Sequence, residues 1–304
     1  PGFPRAPGSD FRVPDVDRWA GLRGPGNIST PRRSRWSTLG SAGVAVAAAV
    51  WMVLLLLLPL GGIVFSAFAD GFDYYWASIS SREAVHALKL TVNAALISLP
   101  LNLLFGVSAA WLVTKHDFWG KRILTTLIDI PFTVSPIIGG LVFVCLYGRR
   151  GWLGPWLEEH GIQIIFSTPG IVLATLFVTV PFVAKELIPL MESQGRDTEE
   201  VARSLGARGW HILFWVTLPA ARWALLNGAI LATARAVGEY GAASVVSGKI
   251  RGETNTLPLL IDAMYNGFDA TGAYAVATLL MAFGLLTLLV KSVAERHLPE
   301  DSRH

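Results

Sequence analysis

Glu200-Val201-Ala202-Arg203-Ser204-Leu205-Gly206-Ala207-Arg208-Gly209-Trp210-His211-Ile212-Leu213-Phe214-Trp215-Val216-Thr217-Leu218-Pro219 lies between two long apolar runs, residues 161–184 and 223–248. A passive connector there would be polar and irregular. This stretch reads as two short helices with a break between them. Asp197 is placed to cap the first, with Glu200 three residues on as in a capping box. Val201, Ser204 and Leu205 then share one side, and Gly206 stops the helix as glycine does just past a C-terminus. Arg208-Gly209 turns the chain. Trp210, Leu213, Phe214 and Val216-Thr217-Leu218 form a second apolar stripe, which Pro219 ends. Periodicity leaves open whether these stripes pack on the chain's own helix ends or enter a groove on a partner, a common mode of helix recognition.

The surroundings are those of a membrane protein. Of 304 residues, 52% are hydrophobic and 15% charged, against about 25% charged in an ordinary soluble domain. About 20 apolar residues cross a hydrocarbon core. Runs of that size occur at 36–69, 90–114, 161–184 and 270–290 without a charge, at 123–148 with Asp129, and at 223–248 with Arg235 and Glu239. The expectation is an all-α polytopic membrane protein with six transmembrane helices. The first run is more than twice the length of a signal-peptide core and is read as a retained span.

Orientation follows from lysine and arginine. With the N-terminus inside, the inner segments carry 17 of them and the outer loops five. Both ends are therefore expected on the cytoplasmic side. Residues 1–38 read as a disordered basic cytoplasmic tail, 39–295 as the transmembrane domain with a core at about 83–294, and 296–304 as a second cytoplasmic tail. Pro59, Pro131, Pro136 and Pro181 fall inside spans, where they kink helices. Cys145, the single cysteine, lies in an apolar run and reads as a small buried residue.

The stretch 200–219 also carries a resemblance. Glu200-Val201-Ala202, three residues, Gly206, nine residues, Val216, one residue and Leu218-Pro219 resemble the loop signature of ABC importer permeases, with Val201 in place of alanine and Val216 in place of isoleucine. Six fixed positions over 20 residues make the match specific. It covers about 83–294. The resemblance implies the type I importer permease fold and a loop whose helices dock on a separate ATPase subunit. Glu200, Ala202, Gly206, Val216, Leu218 and Pro219 are then the coupling residues. The stretches 234–242, 244–248 and 250–259, with 130–136 and 181–189, are similar to the sulfate/thiosulfate branch, and within it to the second of its two permease subunits. Molybdate and tungstate permeases share the general pattern and stay as an alternative substrate reading.

An ionisable residue at the bilayer centre costs at least about 2.5–3.5 kcal/mol on insertion scales, so such residues usually face a partner or a water-filled path. Arg235 and Glu239, four apart, are expected to pair on one helix face. They read either as a structural pair or as lining an anion path with Thr233, Tyr240, Ser244 and Ser247. Asp129 is expected to pair with Lys185 or Arg235, either as a buried structural pair or as a further residue of the path. The outer segment 249–269 contains an apolar stretch, 257–264, which reads as a re-entrant or surface helix meeting a binding protein, or as a connector.

No Gly-x4-Gly-Lys-Ser/Thr loop is present: Arg122 follows Gly120-Lys121, and Ile250 follows Gly248-Lys249. Phosphates therefore have no P-loop cradle. No metal-ligand spacing or nucleophile motif appears either. The expectation is a non-catalytic subunit with no cofactor of its own. Its partners are two ABC ATPase subunits, a second homologous permease, an external sulfate-binding protein and membrane lipid, and nucleic acid is not among them. The expected place is the bacterial cytoplasmic membrane. The competing classes are a self-sufficient secondary transporter and a membrane anchor that moves nothing.

Overall fold

The computed structural model describes residues 35–296, with side chains over 43–294. The tails expected over 1–38 and 296–304 lie almost wholly outside the described residues. The described residues contain no strand. In chain order the helices are α1 (Arg35–Ala67), α2 (Phe72–Ser80), α3 (Arg82–Lys115), α4 (Lys121–Thr133), α5 (Pro136–Tyr147), α6 (Gly154–Glu159), α7 (Thr168–Ser193) and α8 (Asp197–Ser204). There follow α9 (Gly209–Ile212), a π turn (Leu213–Thr217), α10 (Leu218–Ala220), α11 (Arg222–Val237), α12 (Gly241–Val246), α13 (Leu257–Asn266) and α14 (Ala270–Arg296). The part of α1 before Pro59 is a unit of its own, an apolar helix with Trp51, Leu54 and Leu55 exposed. Everything from Pro59 onward forms the second unit.

Among the described residues, four helices are long and apolar enough to cross a membrane, within α1, α3, α7 and α14, and a fifth crossing results if α4 and α5 count as one bent span. The six single helices expected from the sequence are not all present. The third run is bent by 112° between α4 and α5. Its break is chemical: Pro136 disfavours helical geometry at Ser135, which is extended at φ −56°, ψ 133°. Pro136 therefore starts a helix instead of kinking one. The fifth run breaks at residues 238–240, leaving α11 with 16 residues and α12 with six. By itself α11 falls short of the roughly 20 residues a crossing takes.

Small residues set the packing, as expected where lipid supplies no hydrophobic drive between helices. A Cβ on Gly106 of α3 would sit 2.6 Å from Val183 of α7, and one on Gly228 of α11 would sit 3.1 Å from the same residue. Val183 is thus wedged between two glycines. Around it Ala110, Leu187, Met191, Ala221 and Ala232 are buried. The two broken runs also meet each other. A Cβ on Gly140 of α5 would lie 2.9 Å from the Ala242 carbonyl, and one on Gly241 of α12 would lie 2.9 Å from Pro136. Near the start of α3, Ala84 and Ala87 pack on Leu257 and Leu260 of α13 and on Val276 of α14. The segment 257–264 is therefore a packed helix rather than a loose connector.

Candidate functional site

The loop between α7 and α11 is built as two helical pieces, with two differences from expectation. Asp197 does not cap α8. It is the first helical residue, behind Arg196 at the N-cap position, which makes no side-chain cap. Asp197, Glu199 and Glu200 instead fill the first turn, where unsatisfied N–H groups favour negative charge. At the other end Gly206 adopts φ 89°. Its N–H donates to the Arg203 carbonyl at 3.0 Å, and the Ala207 N–H donates to the Ala202 carbonyl at 3.1 Å. That pair of bonds is the Schellman closure, so Ala202 and Gly206 are two ends of one turn.

Pro219 does not end the second piece. The π turn precedes it, with the Leu218 N–H donating five residues back to the Leu213 carbonyl. A proline ring clashes with the carbonyl four residues before it, and a wider turn relieves that crowding. The chain then runs on through α10, and the Ala221 and Leu225 N–H groups keep helical bonds to the Thr217 and Ala221 carbonyls. The second half of the loop is thereby continuous with α11.

Five large apolar side chains of this loop face outward. Val201 is 61% exposed and Leu205 83%, and Trp210, Phe214 and Trp215 are exposed as well. Glu200 beside them is exposed, Ala202, Val216 and Leu218 are half-buried, and Ile212 is buried. Among the charged residues of the loop, the one that turns inward is Glu199, 6% exposed. Its Oε1 lies 3.3 Å from Lys115 Nζ at the end of α3 and accepts from Thr217 Oγ1 at 2.6 Å. Lys115 Nζ also donates to the Gly195 carbonyl. Nearby, Arg196 donates through both terminal nitrogens to Asp117 Oδ2 at 3.2 Å, and to the Thr114 carbonyl at 3.3 Å. These Arg196 bonds, with the guanidinium charge, hold the Asp117 carboxyl below the ordinary carboxylate range. The sequence reading missed Glu199, Lys115, Thr217, Arg196 and Asp117. One signal was available: in α8, Glu199 is two positions from Val201 and so lies on the opposite face of the helix.

The second group of expected residues gathers at the break in the fifth run. Arg235 and Glu239 do pair, at 2.6 Å between NH1 and Oε2. The pair is not along one helix face, because α11 ends at Val237. It is an ionic contact across the break. Glu239 is 2% exposed, and its Oε1 accepts the Ala242 N–H at 2.7 Å. One carboxylate thus joins the end of α11 to the start of α12. Tyr240 is exposed beside it, with Lys249 Nζ 5.8 Å from its ring centroid. The Thr233 and Ser244 hydroxyls donate to the Ala229 and Gly241 carbonyls of their own turns. Ser247 is fully buried, with its hydroxyl accepting the Lys249 N–H. Asp129 stands apart, 2.7 Å from Lys185 Nζ between α4 and α7. Of the two partners expected for it, the structure selects Lys185.

Further along, Lys249 Nζ meets Asp262 Oδ2 of α13 at 3.0 Å. The bond to Asp262 raises the lysine pKa. Burial alone would raise the aspartate, but the ammonium offsets that and leaves it lowered. Cys145 is exposed on α5, not buried. A recess of about 1110 Å³ opens between the end of α5, α6 and the start of α7, lined among others by Arg149, Arg150, Trp152 and Glu158.

Residues 102–298 match the family described as "Binding-protein-dependent transport system inner membrane component". The chain is 46% identical over 269 residues to the "Sulfate transport system permease protein CysW" of Escherichia coli K12, covering 88% of this chain and 90% of that one. It is 33% identical over 239 residues to the "Sulfate transport system permease protein CysT" of the same organism, covering 79% and 86%. A crystal structure of a bacterial alginate ABC transporter, in complex with an alginate pentasaccharide-bound periplasmic protein, has the same fold. Its TM-score is 0.69 at 15% identity, covering 86% of this chain and 94% of that one.

Proposed function

The chain belongs to the family of binding-protein-dependent transport system inner membrane components, and from that premise we propose that it is the membrane half-channel of an ATP-driven sulfate importer. The observation that carries the substrate is the 46% identity to the sulfate permease CysW over nearly its whole length. The exposed apolar loop supports the energy source. Val201, Leu205, Trp210 and Phe214 present hydrophobic surface beside the exposed Glu200, which suits insertion into a cleft on an ATPase subunit.

In this reading the chain performs no covalent chemistry and holds no cofactor. A second, homologous permease completes the path, two ATPase subunits bind from the cytoplasm, and an external binding protein delivers sulfate. Six crossings place both termini inside, with α11 and α12 together making the fifth. The path passes the break at residues 238–240. There Arg235 offers positive charge to a dianion, and Glu239, buried and ion-paired, adds no free negative charge. Glu239→Gln keeps the acceptor for Ala242 and removes the ionic contact, and is expected to lower uptake at unchanged assembly. Unchanged uptake would remove this pair from the path.

Complementation tests the function as a whole. In a bacterial strain lacking its own CysW-type permease, expression of this chain is expected to restore growth on sulfate as sole sulfur source. The chain should also co-purify with an ATPase. Restored molybdate uptake without sulfate uptake would overturn the substrate, and sulfate uptake persisting with an inactive ATPase would overturn the mechanism.

A further inference from the structure

We infer that Glu199, Lys115 and Thr217 form a latch that makes the cytoplasmic loop and α3 move as one body, so that loop displacement reaches the outer end of the chain through α3 as well as through α11. This rests on the importer reading above, and it assigns positioning roles to three residues outside the loop signature.

The loop has two physical connections to the membrane domain on its C-terminal and lateral sides. One is covalent, since the π turn passes through α10 into α11, with the Ala221 and Leu225 N–H groups bonded to the Thr217 and Ala221 carbonyls. The other is the latch. Glu199 is buried on α8, Lys115 is 9% exposed at the last turn of α3, and Thr217 is 2% exposed in the π turn. A single carboxylate oxygen serves both partners, at 3.3 Å from Lys115 Nζ and 2.6 Å from Thr217 Oγ1. Lys115 also donates to Gly195, and Arg196 to Thr114, so two adjacent residues of the α7–α8 turn also bond the α3 terminus. A charged pair removed from water is held tightly because separating it leaves each charge uncompensated. Rigid transmission calls for such a contact, in contrast to the exposed pair Asp117–Lys121, whose aspartate is 73% exposed.

What lies at the far end of α3 gives the latch a use. The helix has 34 residues, a length of about 51 Å at 1.5 Å per residue. Near its start the Thr91 hydroxyl is buried and accepts the Leu257 N–H of α13 at 2.8 Å. Ala84 and Ala87 pack on Leu257 and Leu260. Motion entering at Lys115 therefore arrives at α13, the helix that Asp262 ties to Lys249 beside Tyr240. The signature residue Glu200 is exposed. Its neighbour Glu199 faces the chain's own transmission helix.

The test uses the complete importer, with both permeases, the ATPase subunits and the binding protein, reconstituted in liposomes. The ratio of sulfate transported to ATP hydrolysed is measured for wild type, Glu199→Gln, Thr217→Val and the exchange Lys115→Glu with Glu199→Lys. Glu199→Gln is expected to assemble, to hydrolyse ATP and to lower the ratio at least fivefold. Thr217→Val should lower it less, and the exchange should recover part of it. An unchanged ratio in Glu199→Gln overturns the latch. So does a parallel fall of uptake and hydrolysis at constant ratio, the signature of lost docking or folding. If Glu199→Gln fails to assemble, Thr217→Val decides by the same ratio. A wild-type complex whose uptake ignores ATP would instead contradict the importer reading, independently of any variant.

Discussion

Gly206 has φ 89° and open space around the position a Cβ would take. Substitution there costs conformational energy alone, about 1–2 kcal/mol for a residue with a side chain in left-handed geometry. Gly206→Ala is expected to insert normally and to weaken association with the ATPase, read by the fraction of subunit retained on co-purification. Asp117 offers a pH test. Its pKa is lowered by Arg196, so its contribution is present above the ordinary carboxylate value and is lost only as pH falls through the lower, folded value. Arg196→Ala is expected to move the Asp117 titration upward to the ordinary range, measured by the carboxylate resonance in labelled protein. At this scale the sequence was legible where a residue's chemistry is local. The glycine turn could be read from 206 and its neighbours, and Arg235 with Glu239 from their spacing. Glu199 was not legible, because nothing in residues 197–205 shows that Lys115, more than 80 positions earlier, waits beneath the helix.

Among the elements, the loop's two helices were foreseen, and its outward apolar face, with Val201 and Leu205 exposed, is what the proposed docking on an ATPase calls for. Burying a leucine stabilises by about 1.5–3 kcal/mol. Leu205→Asp should therefore leave the membrane domain intact and reduce ATPase co-purification at least tenfold, while retained binding would exclude this face from the interface. The breaks in the third and fifth runs were hidden because hydropathy averages over a window and registers no bend. Pro136 and Gly238 held the information, but proline and glycine also occur in unbroken membrane helices, as Pro181 does within α7. Packing of α3 on α7 gives a second check. A methyl on Gly106 meets Val183 at 2.6 Å, and overpacking of this kind costs about 1–3 kcal/mol. Gly106→Ala should lower the thermal midpoint of the purified protein, and adding Val183→Ala should not restore it, because alanine keeps the Val183 Cβ that the new methyl meets.

For the whole molecule, composition points to a helical membrane protein, and the helical architecture of the described residues agrees. The crossing number remains tied to whether α11 and α12 act together, so a reporter fused after His304 is expected on the cytoplasmic face, whereas an external signal would contradict six crossings. Substrate was readable only through resemblance. The residues at the break supply an arginine and a neutralised carboxylate, chemistry that suits an oxyanion without naming one. The most direct measurement is uptake of radiolabelled sulfate by proteoliposomes containing this chain, a CysT-type permease, the ATPase and the binding protein. Uptake is predicted to require hydrolysable ATP and to vanish when this chain is left out. Sulfate uptake by this chain alone, without ATPase or ATP, would contradict the account.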